Sequence, residues 1–343
     1  MSDRRSSRAK AGRSRPRLRH FWAVGASVLN WFCPCKEESH LAKLRISIVE
    51  YLNTAPLVWG FTEGPQAGRY DLSFTLPSQC AEALRGGDAD VAIIPAIEYE
   101  RIENLVMLPG MAVAAKRAVR SILVVSKKPI ELAKRIALDT SSRSSAALVR
   151  ILAAEHWRIR PEFVDARPNA AEMLEDADAA LIIGDPALRI AVKMDQLAGK
   201  VPSTKSCCQG DASDMPVPGH ESIFVYDVAH EWQEMTGKPC VLAVWAGRRE
   251  AITPEVVADF LASKEYGMAR LPEIADAASM KLDLPPKDLE KYLTDNINFD
   301  LDAENIEGLN LYYQKAAALG LIPRFRPIEF STAPAKTLVH RGA

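Results

Sequence analysis

An amide side chain that follows a buried strand is the first candidate for chemistry in this sequence. Asn53 lies in Tyr51-Leu52-Asn53-Thr54-Ala55-Pro56-Leu57, after the apolar run Leu44 to Val49 and before a predicted helix with Pro56 in its first turn. Such a turn falls at the carboxyl edge of a sheet, where open α/β folds bind ligands. An amide there donates to one oxygen and accepts from another without bringing in a charge. Simple helix capping would explain Asn53 and Thr54 equally well.

A second turn carries hydroxyl groups at a predicted helix start. Asp139-Thr140-Ser141-Ser142-Arg143-Ser144-Ser145 follows the predicted strand Arg135 to Leu138 and precedes a helix predicted from Ala146 to about His156. Free backbone N–H groups and the helix dipole favour a carboxylate or phosphate at such a place. The dipole supplies only about 0.3–1 kcal/mol, so we expect most of the binding to come from the amides and from the hydroxyls of Thr140, Ser141, Ser142, Ser144 and Ser145. A Ser-rich loop that only caps the helix is the alternative.

Three further candidates lie at the ends of predicted strands. Pro95 ends the apolar strand that begins at Val91, and Ser121 begins another apolar strand. Asp185 follows a strand that ends at Ile183, and it is either a helix cap, with Pro186 at the first helical position, or an acid in the cleft. The position of Pro186 favours the cap. We expect Pro95, Ser121 and Asp185 to help bind a substrate.

The elements that position these turns alternate between short apolar strands and helices, which is typical of a parallel-sheet α/β fold. We predict a first lobe over residues 44–125 and a second lobe over 126–241 with a loop insertion at 198–220. The chain then returns to the first lobe over 242–331, mainly as helices, and ends in a tail at 332–343. Two lobes joined by two crossover strands, with polar turns facing inward, form a ligand-binding protein that closes over its ligand.

The charge distribution separates the N-terminal segment from the rest of the chain. Residues 1–43 contain ten basic and three acidic residues, whereas the other 300 contain 33 basic and 41 acidic residues. An acidic body argues against a broad nucleic-acid surface. A targeting peptide or a nucleic-acid arm would also be basic, but we favour a disordered extension or a misassigned start. The apolar part of this segment is too short to span a membrane, so no membrane partner is expected.

Several classes of enzyme lack their motifs here. The sequence has no Gly-rich dinucleotide turn, P-loop, HExxH or GxSxG motif, and its six histidines are scattered. The six cysteines show neither paired CxxC spacing nor histidine partners at zinc distances, so no metal site or disulfide framework is predicted. Cys80 and Cys240 lie in apolar surroundings typical of buried free thiols, which fits a reducing cytoplasm.

Six motifs in one order give the chain a family resemblance that runs from about Leu44 to Pro323. These motifs are Tyr51 to Leu57; Ala83 to Asp90 with Ile94 to Tyr99; Arg120-Ser121; Asp139 to Ser145; Ile183-Gly184-Asp185; and Trp232 through Thr236-Gly237 to Trp245. Together they resemble the chorismate dehydratases of the futalosine route to menaquinone. The basic tail and a long loop with Cys207-Cys208 depart from the family pattern.

The resemblance implies a two-lobed, periplasmic-binding-protein-like (type II) fold and a cytoplasmic hydro-lyase. Such an enzyme converts chorismate to 3-[(1-carboxyvinyl)oxy]benzoate and water without a cofactor. The resemblance does not indicate an oligomeric state. On this basis Asn53 is the candidate catalytic residue, beside the departing hydroxyl, and a substrate carboxylate helps to take the ring proton, with Asp185 as the reserve base. The alternatives are a solute-binding module without catalysis and the 1,4-dihydroxy-6-naphthoate synthase of the same pathway.

Overall fold

The structure is a computed structural model that describes residues 43–198 and 223–332. The predicted basic extension, most of the loop insertion at 198–220 and the C-terminal tail therefore lie outside the described residues. Within the described part, two five-stranded sheets form, each covered by helices. We call the first sheet with its helices the first lobe and the second sheet with its helices the second lobe.

The first sheet has the strand order β2-β1-β3-β10-β4. Its strands are β1 (Arg45–Val49), β2 (Asp71–Thr75), β3 (Val91–Pro95), β4 (Leu105–Ala115) and β10 (Cys240–Arg248). β1 is parallel to β2 and β3, whereas β10 runs antiparallel to β3 and β4. All residues of β3 are buried, as its unbroken apolar sequence predicts for a strand covered on both faces.

The second sheet has the order β7-β6-β8-β5-β9. Its strands are β5 (Ile122–Ser126), β6 (Arg135–Asp139), β7 (Glu162–Ala166), β8 (Ala179–Ile183) and β9 (Phe224–Asp227). β6 is parallel to β7 and β8, and β5 is antiparallel to β8 and β9. Both sheets are thus mixed, whereas the alternating sequence pattern predicts parallel sheets. The antiparallel strands β5 and β10 are the ones that follow a change of lobe, so they enter their sheets from the opposite end.

The helices begin where the sequence supplies a proline or a capping side chain. Prolines occupy the first turn of α1, α2, α8, α9 and α10, where a backbone N–H would have no partner within the helix, so its absence costs no hydrogen bond. A π-helical turn, Tyr292–Asn296, follows α10. The helices are α1 (Ala55–Thr62), α2 (Pro77–Gly86), α3 (Ala96–Arg101), α4 (Arg143–Glu155), α5 (Ala170–Asp176), α6 (Gly184–Ala198), α7 (Val228–Thr236), α8 (Pro254–Met268), α9 (Leu271–Leu282), α10 (Pro286–Lys291) and α11 (Ala303–Ala318).

The lobe boundaries differ from the sequence-based division. The division between residues 125 and 126 falls inside β5, which pairs wholly within the second sheet. The division between residues 241 and 242 falls inside β10, which pairs wholly within the first sheet. Both strands are mainly apolar and mainly buried, so their sequences do not reveal which sheet they join. The connections between lobes are instead the segments 116–121 and 237–239.

The described helices include none with the length and apolar character needed to cross a bilayer. Cys80 and Cys240 are both buried free thiols, as their apolar surroundings predict. Burial raises the pKa of the Cys80 thiol to about 11. The protonated thiol is the unreactive form, which indicates that Cys80 has a packing role.

Candidate active site

A small cavity of about 50 Å³ lies between the two lobes. It is bounded by the turn after β1, the end of β3, the start of β5, the end of β8 and the first turn of α4. Its lining residues are Val49, Tyr51, Asn53, Thr54, Pro77, Pro95, Val113, Ser121, Ile122, Ser142, Ser144, Ser145, Ile183, Gly184, Leu242 and Ala243. The structure therefore brings six of the nine predicted site residues to one cavity: Asn53, Pro95, Ser121, Ser142, Ser144 and Ser145.

Asn53 and Ser121 both lie next to a third residue, Tyr292. The Tyr292 hydroxyl donates to Ser121 Oγ over 2.8 Å, and the Asn53 side chain lies close enough to interact with this hydroxyl. Asn53 Oδ1 accepts from the Thr54 hydroxyl at 3.3 Å. The residue at the N-cap of α1 is Thr54, and its side chain makes no capping bond. The Asn53 amide therefore lies among hydroxyl groups beside the cavity.

The backbone before Ser121 is held in an uncommon conformation. Arg120 has φ +64°, the left-handed region that non-glycine residues seldom adopt. The buried carboxylate of Asp227 accepts hydrogen bonds from the N–H groups of Val119 at 3.0 Å and Arg120 at 2.6 Å. The Ser121 carbonyl then accepts from the Gly184 N–H at 2.7 Å. These bonds fix the direction in which Ser121 enters the cavity.

The hydroxyls at the start of α4 divide into free and occupied groups. Ser144 Oγ accepts from the Ile97 N–H of the first lobe at 3.2 Å. The hydroxyls of Ser142 and Ser145 make no hydrogen bond within the described residues, although both serines are buried against the cavity. Ser142 and Ser145 are therefore free both to donate to a ligand and to accept from it, whereas Ser144 keeps its proton to donate.

Helix α4 begins three residues earlier than its predicted start at Ala146. The reason lies in Arg143, which forms ion pairs with Glu98 at 3.0 Å and Glu82 at 2.7 Å in the first lobe. Ser144 and Ser145 are consequently part of the first helical turn and lie outside the loop that was predicted to contain them.

Thr140 and Ser141 do not reach the cavity. Ser141 Oγ donates to Asp139 Oδ1 at 2.6 Å, so its proton is used. Thr140 is exposed and lines an adjoining groove that also contains Ser142 and Arg150. The tight turn in which the Ser142 N–H donates to the Asp139 carbonyl brings Ser142, but not Thr140, to the cavity as well. The five hydroxyls therefore do not form one cradle.

Asp185 has neither of its predicted roles. It lies inside the first turn of α6, and Asp185 Oδ1 accepts from the Leu52 N–H of the first lobe at 3.1 Å. It lines a neighbouring apolar groove of about 250 Å³ and not the cavity that contains Asn53. Burial raises the pKa of Asp185 and the Leu52 N–H lowers it, with burial the larger effect. Asp185 joins the two lobes and is not placed to act as the reserve base.

The cavity lining within the described residues contains no ionisable group other than the Tyr51 phenol. Burial raises the pKa of Tyr51 to about 12, so the phenol stays neutral near pH 7. The described residues also contain no group of three His, Cys, Asp or Glu side chains arranged to hold a metal ion. The site can donate hydrogen bonds from an amide, hydroxyls and the first turn of α4. Such a site suits a small anion that carries its own charges.

Sequence reasoning missed three residues at the site: Tyr51, Gly184 and Tyr292. Tyr51 and Gly184 belong to two of the six motifs, but their contact becomes visible only in the structure, where the two lobes meet. A Cβ atom on Gly184 would lie 2.6 Å from the Tyr51 ring. Tyr292 has no sequence signal, because its apolar neighbours fit a helix face packed in the core.

Comparison of the sequence with known families and proteins connects this chain with menaquinone biosynthesis. Residues 44–318 match the model of a family described as menaquinone biosynthesis. A protein from Thermus thermophilus described as chorismate dehydratase is 29% identical over 287 residues, which is 82% of this chain and 98% of the relative.

Solved structures show the same fold at lower sequence identity. A crystal structure of a protein from Archaeoglobus fulgidus matches with a TM-score of 0.61 and 19% identity, over 82% of this chain and all of that one. The periplasmic aliphatic sulphonate binding protein of Escherichia coli matches with a TM-score of 0.52 and 15% identity, over 86% of this chain and 96% of that one. These matches confirm the predicted periplasmic-binding-protein-like fold. Because the family model covers most of its length, this chain belongs to the menaquinone biosynthesis family.

Proposed function

We propose that this protein is a chorismate dehydratase. The C4 hydroxyl of chorismate leaves with its bonding electrons, C3 loses its hydrogen as a proton, and the two combine as water. The electrons of the broken C3–H bond form the C3–C4 double bond that makes the ring aromatic. The product is 3-[(1-carboxyvinyl)oxy]benzoate. Aromatisation makes the step downhill, so the protein mainly has to orient the substrate and ease departure of the hydroxyl.

The proposal rests on one observation above all. Asn53, Ser121 and Ser142 come from turns of both lobes, and they line one cavity whose side chains are neutral. Chorismate brings two carboxylates, so it needs hydrogen-bond donors. The free hydroxyls of Ser142 and Ser145 and the first turn of α4 supply them. The 29% identical chorismate dehydratase supports the choice of substrate.

In this proposal Asn53 donates to the C4 hydroxyl as it leaves, because its amide lines the cavity and its Oδ1 is bonded by the Thr54 hydroxyl, which leaves Nδ2 as the donor. Ser142 and Ser145 bind one carboxylate at the start of α4. No carboxylate or imidazole of the described chain lines the cavity, so a carboxylate of the substrate takes the proton from C3. Pro95, Leu242 and Ala243 close the remaining wall and limit the access of water.

The direct test incubates the purified protein with chorismate and follows the diene absorbance together with the product mass. We expect the diene band to disappear and a product to form that is lighter than chorismate by one water. Recovery of bound but intact chorismate would identify a binding module. Chorismate that is neither bound nor consumed would exclude this substrate and return attention to the naphthoate synthase alternative.

We also propose that the reaction needs no cofactor and that it serves the futalosine route in the cytoplasm. Dialysis against a metal chelator should leave the rate of chorismate loss unchanged, and added metal ions should not raise it. If the rate of chorismate loss falls on dialysis and returns when one metal is added, cofactor independence is wrong. The assignment of chorismate as the substrate would not be affected. Fractionation of the source cells, followed with an antibody, tests the location.

A further inference from the structure

We propose that Tyr292 is a positioning residue for this reaction, one that fixes the hydrogen-bond directions of Asn53 and Ser121. The inference rests on the proposed function. Tyr292 does not line the cavity, but its hydroxyl contacts residues that do: it bonds Ser121 Oγ at 2.8 Å and lies beside the Asn53 side chain. Its side chain is only 2% exposed. Core packing alone does not require a buried phenol to bond a hydroxyl that lines the site.

The number of available protons shows what this contact achieves. A phenol has one proton, and Tyr292 donates it to Ser121 Oγ. Ser121 therefore has its own proton left to donate elsewhere, and its hydroxyl enters the cavity as a donor. Asn53 Oδ1 already accepts from the Thr54 hydroxyl, so the amide Nδ2 is the group left to donate to the phenol oxygen. In that arrangement the second N–H of Asn53 remains available for a ligand.

The surroundings keep the phenol in place and protonated. Burial raises the pKa of Tyr292 above its ordinary value, so it acts as a donor and not as a base near pH 7. Tyr292 opens the π-helical turn Tyr292–Asn296, and such turns occur frequently at functional sites. At the other end of this turn, Asn296 Nδ2 donates to the Ala118 carbonyl at 3.0 Å, within the segment that leads to Ser121. The turn therefore bonds the Ser121 segment at two points.

The first test is Tyr292→Phe, which removes the hydroxyl and keeps the ring. Tyr313→Phe is the matched control, because Tyr313 is equally buried and donates its hydroxyl to the Ala96 carbonyl at 2.7 Å. We expect Y292F to lower kcat for chorismate by about 10-fold to 100-fold, the range for a small misplacement of reacting groups. KM should change far less, and Y313F should keep kcat within about 2-fold. Equal kcat losses in the two variants would overturn the inference.

A second test asks whether Tyr292 acts through Ser121. In a double-mutant cycle, Tyr292→Phe should lower kcat much less when Ser121→Ala is already present, since there is no hydroxyl left to orient. A merely structural tyrosine would give the same fold-change in both backgrounds. Full additivity would therefore contradict positioning through Ser121.

A third test needs no substrate and separates failure of this inference from failure of the proposed function. The side-chain amide resonances of Asn53, assigned by NMR with Asn53→Asp, should shift and exchange faster with solvent in Y292F but not in Y313F. If wild-type protein does not convert chorismate, the proposed function fails while this test still decides the contact. If it converts chorismate and the Asn53 resonances are the same in Y292F and wild type, the positioning role is wrong.

Discussion

Asn53 and the free hydroxyls of Ser142 and Ser145 are neutral donors in a partly dry cavity. A lysine or arginine in their place would bind a carboxylate tightly, but it would do so in the substrate and in the transition state alike. Such uniform binding lowers KM without raising kcat. A neutral donor beside the departing hydroxyl gains strength as negative charge develops on that oxygen. At the scale of single residues, the absence of charged side chains from the described cavity lining is consistent with elimination from a dianion.

Replacement of Asn53 tests this argument with two variants. Asn53→Ala removes the donor, and we expect kcat for chorismate to fall by about 100-fold, as for other single donors to a developing oxyanion. Asn53→Asp keeps the shape but replaces N–H with a carboxylate oxygen, so its loss should be at least as large. Asn169→Ala, which removes an exposed helix cap on α5, is the control and should retain full activity. An active N53D protein would show that shape alone is required.

Asp185 gives a prediction for stability as a function of pH. Burial raises its pKa in the folded protein above the unfolded value, so the folded state holds the proton to higher pH. Stability from this group is therefore lost as pH rises from the ordinary aspartate range through the raised folded pKa. Asp185→Asn does not titrate and still accepts from the Leu52 N–H. Its free energy of unfolding, relative to wild type, should rise over that window.

Urea unfolding at a series of pH values from about 4 to 8 measures this difference. The control is Asp276→Asn on the exposed face of α9, where the carboxylate lies in water whether the chain is folded or not. A D185N protein whose stability relative to wild type is constant with pH would show that Asp185 is not desolvated in solution.

The sequence predicts part of the site at this scale, for a clear reason. Asn53, Ser121 and Ser142 follow or begin buried strands, and strand ends are placed by the sheet itself. Thr140, Ser141 and Asp185 occupy similar positions in the sequence, but a tight turn keeps Thr140 out of the cavity, Asp139 takes the Ser141 proton and Leu52 bonds Asp185. Leu52 lies far from Asp185 in sequence, so no local pattern reveals that contact.

At the scale of elements, the segment between β4 and β5 determines where Ser121 points. Arg120 adopts φ +64°, which costs about 1–3 kcal/mol for a residue other than glycine. Asp227 holds that conformation through the N–H groups of Val119 and Arg120, and the same carboxylate caps α7 through Ala229 and His230. The Asp227 carboxylate thus holds both the start of α7 and the backbone that leads to Ser121.

Asp227→Ala should therefore damage both stability and activity. Four N–H groups lose their acceptor, and we expect a loss of about 3 kcal/mol or more in the free energy of unfolding. At a temperature where the variant is folded, kcat/KM for chorismate should still fall, because Arg120 is free to relax and Ser121 turns away. Asp302→Ala removes a comparable cap on α11 and should leave kcat/KM within about 2-fold. A folded D227A protein with normal kcat/KM would show that Ser121 is positioned without Asp227.

The strands and helices are largely predictable where the signal is local, whereas ends that depend on distant contacts are not. Apolar periodicity and Gly or Pro residues predict β4 from Val106 to Ala115, α2 from Gln79 to Arg85 and α7 from Val228 to Met235, and each element lies within two residues of these bounds. The start of α4 is displaced by the ion pairs of Arg143 with the other lobe, which a local pattern does not contain. Which sheet β5 and β10 each join depends on the strands that they pair with and not on their own residues.

At the scale of the whole molecule, contacts between the lobes surround the cavity. Asp185 accepts from the Leu52 N–H, Ser144 accepts from the Ile97 N–H, and Arg143 pairs with Glu98. The cavity they enclose has about 50 Å³, whereas pockets for small molecules usually have about 300–1,000 Å³. Chorismate therefore requires the lobes to separate before it enters, and the structure corresponds to a closed form.

Gly184 offers a way to test lobe closure with a matched control. Its φ is +66°, and an added Cβ atom would lie 2.6 Å from the ring of Tyr51 on the opposite lobe. Gly68 lies outside both connections between the lobes and has a similar backbone, φ +76°, but no atom lies within 4 Å of its added Cβ. Ala at either position carries the same backbone strain, about 1–2 kcal/mol. Only Gly184→Ala adds a group between the lobes.

We therefore expect Gly184→Ala to keep the lobes apart and Gly68→Ala to leave closure intact. In G184A, kcat/KM for chorismate should fall by about 100-fold, because the donors of the two lobes no longer meet around the substrate. Small-angle X-ray scattering should show a larger radius of gyration for G184A than for G68A, each at a temperature where the variant is folded. If both variants lose activity equally, backbone strain accounts for the loss. Contact between Tyr51 and Gly184 would then not limit closure.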